Sequence, residues 1–97
     1  MSAYPRTVLD PTTITYAATI TPNAAQGALF RVTATGDLTI NDPTGGVDGQ
    51  MIRIEVLASG AARKVTLTGS TAFVLPSAGK AVVDYTYDGT QWWINLV

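Results

Sequence analysis

The side chains able to carry acid–base chemistry in this sequence are seven carboxylates, Glu55 and six Asp, and six bases shared between Lys and Arg. There is no His and no Cys. Thiolate nucleophiles, disulfides, Ser-His-Asp triads and nearly every structural zinc site therefore fall away. Glycoside hydrolysis needs two carboxyls at a set separation, one of them in an apolar pocket, and no spacing here marks such a pair. Asp42 and Asp48 flank the Gly-rich stretch Pro43-Thr44-Gly45-Gly46-Val47. Two carboxylates are too few for a Ca²⁺ loop, and their spacing departs from the EF-hand pattern, so the stretch reads as a solvated turn. Gly45, Gly46 and Gly49 do not make a phosphate loop either, because no Lys stands in the required place and no helix pattern follows. No catalytic, cofactor-binding or metal-ligating residue is assigned, and the chain reads as non-enzymatic.

The elements that position these residues must fit into 97 residues, room for a single domain. Charged residues make up 13% of the chain, about half the usual share, while 46% are apolar. That balance argues against disorder. A net charge of −1 with no basic stripe argues against a nucleic-acid partner. No apolar run reaches the length of a membrane span. The start, Met1-Ser2-Ala3-Tyr4-Pro5-Arg6, lacks the layout of a signal peptide, so synthesis in the cytoplasm is expected.

Thr is abundant, and Val and Ile recur at alternate positions, which is β composition. No stretch carries helical apolar spacing. Tyr87-Asp88-Gly89-Thr90 predicts a two-residue turn that pairs Tyr85 with Trp92, Val83 with Ile94 and Ala81 with Leu96 on one apolar face. Residues 50–58 and 63–68 predict a second hairpin about Gly60-Ala61, with Val56 opposite Val65 and Ile54 opposite Leu67. Residues 28–34 and 37–41 predict a third, with Gly36 in the left-handed region at the end of its loop. Residues 13–20 alternate as one strand, with Ile14, Tyr16, Ala18 and Ile20 inward. A short extended piece covers residues 72–75. The expected fold is all-β: a small, mostly antiparallel sandwich or flattened barrel of about seven to eight strands. It spans residues 13–97, with an extended N-terminal arm over residues 1–12.

Two features point beyond the fold. The arm is interrupted by Pro5 and Pro11 and carries the apolar residues Tyr4, Val8 and Leu9, which suits contact with a neighbouring subunit. Trp92 and Trp93 are adjacent and so face opposite ways in a strand. The hairpin register turns Trp93 outward with Val82 and Val97, and an exposed apolar surface of this kind marks an interaction site. The candidate interface is therefore Tyr4, Val8, Leu9, Val82, Trp93 and Val97. A sugar stacking on Trp93 is the other use of such a ring, and it needs an exposed Tyr on the same platform.

The stretches Leu38-Thr39-Ile40-Asn41-Asp42-Pro43, Asp48-Gly49-Gln50-Met51-Ile52-Arg53-Ile54, Ala58-Ser59-Gly60-Ala61-Ala62-Arg63-Lys64-Val65-Thr66-Leu67 and Tyr85-Thr86-Tyr87-Asp88-Gly89-Thr90-Gln91-Trp92 resemble small all-β virion proteins of tailed bacteriophages, found in head decoration and in tail or fibre parts. The likeness covers roughly residues 36–97 and consists of turn and core signatures, so no functional residue is carried across. It implies a capsid decoration, or cement, protein. Such a protein binds the major capsid protein on the outer head shell of the virion, commonly as a homotrimer, and stabilises the shell. A tail, baseplate or fibre module and a glycan-binding module are the alternatives.

Overall fold

The computed structural model describes residues 11–96. Nine strands and one short 3-10 turn at Ala24–Gln26 make up its regular structure: β1 (Thr12–Ile14), β2 (Thr19–Ile20), β3 (Leu29–Ala34), β4 (Leu38–Ile40), β5 (Met51–Ala58), β6 (Arg63–Leu67), β7 (Ala72–Leu75), β8 (Lys80–Tyr87) and β9 (Trp92–Leu96). They form a five-stranded sheet, β1-β3-β5-β8-β9, and a four-stranded sheet, β2-β4-β6-β7. The all-β class expected from composition is what the chain adopts.

The pairing is not the mostly antiparallel one expected. From β1 to β6 the chain passes alternately from one sheet to the other, and each strand pairs in parallel with the strand one circuit later. Phe30 of β3 thus lies between Thr12 and Ile54, and Ile40 of β4 lies between Ile20 and Leu67. The result is a coil of three circuits, each giving one strand to each sheet. After β6 the direction reverses. β7 returns antiparallel to β6, β8 antiparallel to β5, and β9 antiparallel to β8.

Two expected hairpins are therefore arches between sheets. β3 and β4 lie in different sheets, as do β5 and β6. Val32, Leu38, Ile54, Val56, Val65 and Leu67 all point inward as anticipated, but they meet across the core rather than along a shared ladder. Alternation cannot separate these outcomes, because hairpin and arch turn the same residues inward. The turn residues do separate them. Gly36 does not take the left-handed φ that the expected loop requires. It is a glycine because the Tyr16 ring occupies the space a Cβ would fill, and the Tyr16 hydroxyl donates to the Asp37 carbonyl at 2.8 Å. The β5–β6 arch is closed by Arg63, whose Nε and Nη2 donate to the Ser59 carbonyl at 2.9 and 2.6 Å. The single strand expected over residues 13–20 is likewise split into β1 and β2, and Ala18 is exposed at the corner between them.

Hydrogen bonds lock the circuits together. The Lys64 amide donates to the Asp37 carboxylate of the previous circuit at 3.0 Å. Just beyond the ends of β2, β4 and β6, Thr21, Asn41 and Thr68 form a polar ladder. The Asn41 amide donates to Thr21 Oγ1 at 3.1 Å, and the Thr68 hydroxyl donates to Asn41 Oδ1 at 2.8 Å. Beneath it lies one core built from both sheets, including Phe30, Ile40, Ile54, Leu67, Val83 and Tyr85.

The last hairpin is present, with its register two residues from the expected one. Tyr85 pairs with Ile94 and Val83 with Leu96. The turn is longer because the Asp88 carboxylate folds back and accepts the amides of Thr90 and Gln91, each at 2.8 Å. An even slip keeps every side chain on its expected face, so Trp93 still points outward.

Candidate functional site

The outer face of the five-stranded sheet is open to solvent. Strand alternation presents Arg31 and Thr33 from β3, Met51, Arg53, Glu55 and Leu57 from β5, Val82, Asp84 and Thr86 from β8, and Trp93 and Asn95 from β9. Register places these residues in rows across the strands. Met51, Thr86 and Trp93 form one row, and Arg53, Asp84 and Asn95 the next. Arg31, Glu55 and Val82 form a third, with Leu57 and Lys80 beyond.

The middle of this face is charged and paired. Arg53 grips Asp84 with two bonds, Nε to Oδ1 at 2.8 Å and Nη2 to Oδ2 at 2.9 Å. The hydrogen bond to Asp84, and then its charge, raise the Arg53 pKa above its ordinary value. Arg31 Nε meets Glu55 Oε1 at 2.6 Å. Both pairs reach solvent, where water screens the attraction; their larger effect is to fix the chemical pattern of the face. The flanks are apolar. Met51 is 59% exposed and Trp93 61%. A shallow depression of about 350 Å³ lies over Arg31, Thr33, Glu55, Leu57, Lys80 and Val82.

Trp93 is held rather than loose. Its indole N–H donates to Asp88 Oδ2 at 2.9 Å, so the turn that reverses the chain also sets the ring. Amide donation from Gln91, then the Trp93 indole, then the Thr90 amide hold the Asp88 carboxyl below its ordinary pKa. On the other side of β9, Trp92 packs on the core, its ring edge-on to Tyr85 at 6.2 Å and tilted against Tyr87 at 4.8 Å. Tyr85 is fully buried, and its hydroxyl has no hydrogen-bond partner among the described residues. Burial pushes that phenol far above its ordinary pKa, and the charge of Asp42 adds to the shift. Asp42 and Asp48 themselves are exposed. The loop between them is ordered instead by the Ala24 amide on the Thr44 carbonyl at 2.7 Å and by Gln50 Nε2 on the Ala24 carbonyl at 2.7 Å.

Of the six expected interface residues, Val82 and Trp93 share the outer face as anticipated. They are not contiguous, since the Arg53–Asp84–Asn95 row runs between them. Tyr4, Val8, Leu9 and Val97 lie outside the described residues. Sequence reasoning missed Met51 and Leu57 as neighbours on this face, although the parity of β5 already placed them with Arg53 and Glu55. It also missed the exposure of Leu96, which has the inward parity but is 44% exposed at the sheet edge. No Tyr of the described strands shares the face of Trp93, so the second aromatic that a sugar platform requires is not beside it.

No family model, characterised protein sequence or solved structure matches the chain. What the surface offers chemically is paired charge at its centre, exposed apolar side chains at its flanks and one oriented indole.

Proposed function

We propose that this chain is a non-enzymatic structural protein of a tailed-bacteriophage virion that decorates the outer head shell, with the major capsid protein as its partner. Its two mixed sheets are read as the layers of a small sandwich around one core. The observation that carries the reading is the open five-stranded face, broad and shallow, with an ordered Trp93 and bidentate Arg53–Asp84 pairing in place of a deep pocket. A protein that binds only the mature lattice stabilises it by mass action, so many copies with modest contacts suffice. The resemblance in the turn and core residues supports the same assignment.

A tail or fibre module is the second reading, and the coil favours it. Parallel circuits leave β1 and β2 as edges among the described residues, a form that stacks end to end. Immunogold electron microscopy of purified particles, with antibody raised to the chain, distinguishes the two. Gold over the head shell is the expected result. Gold confined to the tail replaces the first reading with the second, and particles without gold overturn both.

A further inference from the structure

The geometry points to the edge of β9, unpaired among the described residues, as a self-association site, at which a second copy of this chain adds its own β9 antiparallel across a two-fold axis at Ile94. The inference follows from the backbone and holds whichever virion reading is correct.

The Tyr87 amide donates to the Gln50 carbonyl and the Tyr87 carbonyl accepts from the Gly49 amide, so both groups of Tyr87 face the β5 side. Alternation along an antiparallel ladder then aims the backbone groups of Trp93 and Asn95 at β8. Those of Trp92, Ile94 and Leu96 point out from the sheet, where no strand meets them among the described residues. Three outward positions centred on Ile94 are self-complementary. Two-fold pairing sets Ile94 against the partner's Ile94 and Trp92 against the partner's Leu96, and it closes the backbone bonds of all three positions.

Three further observations favour a second copy as the occupant. Gln91 to Leu96 carries no charge, so a two-fold axis brings no like charges together. Nor does β9 have the Lys, Pro or bulge with which edge strands are usually blunted. Leu96, at 44% exposure, is a core-facing residue that the sheet ends too soon to cover. In the pair it lies beside the partner's Trp92, on the apolar side of one continuous sheet. On the other side, Trp93 lies beside the partner's Asn95. Such pairing is an isologous contact and gives a dimer, not the trimer implied by the resemblance.

The test is sedimentation equilibrium of the full chain, with circular dichroism to verify folding. Twice the chain mass is expected for the wild type, and Leu96→Lys is expected to weaken the dimer at least tenfold while keeping the β spectrum. Because the chain has no Cys, Ile94→Cys offers a second readout. Directly paired residues sit about 5.5 Å apart at Cα, within disulfide reach, so mild oxidation should link two chains. Thr13→Cys, on the opposite edge strand, should not link. A monomer at all concentrations would mean that the edge does not pair with a second copy. That result, a trimer, or a dimer indifferent to Leu96→Lys overturns the proposal.

Discussion

The coil of β1 to β6 and the antiparallel return of β7 to β9 solve one problem by opposite means. In the coil, every strand takes its partner from a circuit away, and the intervening chain serves the other sheet. In the return, β6–β7 and β8–β9 pair through short turns. Both satisfy the backbone and bury one face. The coil does so with contacts distant in sequence, so its circuits depend on one another, while the β8–β9 hairpin carries much of its own specification.

That contrast predicts unequal responses to equal deletions. Ile40→Ala, in the middle of the four-stranded ladder and fully buried, should cost about 2–5 kcal/mol and lower the whole unfolding transition in a denaturant titration. Ile94→Ala, half-buried on the edge strand, should cost less than half as much. Equal losses would mean that the return is as integral to the core as the coil. The next effect has the opposite sign. Tyr85→Phe removes a buried hydroxyl that has no partner among the described residues and should stabilise the chain by about 1 kcal/mol or more, read from the same titration. A destabilised variant would show that the hydroxyl is satisfied in solution.

The smallest expected effect sharpens the comparison at the β8–β9 turn. Asp88 has a folded pKa below its ordinary value of 3.8. Its contribution is therefore complete above that value and is lost as pH falls through the lowered folded one. The Trp93 indole N–H resonance should shift over that acid window while core resonances of the coil stay fixed. Asp88→Asn should abolish the shift.

What could be read from the sequence follows the same division. Asp88-Gly89 between alternating runs revealed the last hairpin and turned Trp93 outward. Its register slipped by two because an Asp side chain can extend a turn by accepting amides two and three residues on, which a turn-type rule does not specify. In the coil, Val32 with Leu38 and Ile54 with Leu67 pointed correctly inward and wrongly suggested hairpins. The deciding contact, Tyr16 over Gly36, joins residues twenty apart and leaves no local pattern. The outer face was half legible. Trp93 and Val82 followed from parity, while the ionic row between them depended on β5 lying against β8, a pairing that no turn announces.

The ladder of Thr21, Asn41 and Thr68 also makes the molecule a ruler. Each circuit advances the coil by one inter-strand spacing, about 4.8 Å, and presents the same kind of polar rung to the next. Length along that axis is thus counted in whole circuits. A duplicated circuit would lengthen the body by one such step and leave the β7–β9 return unchanged at its end, as in other proteins whose repeats contact only their neighbours.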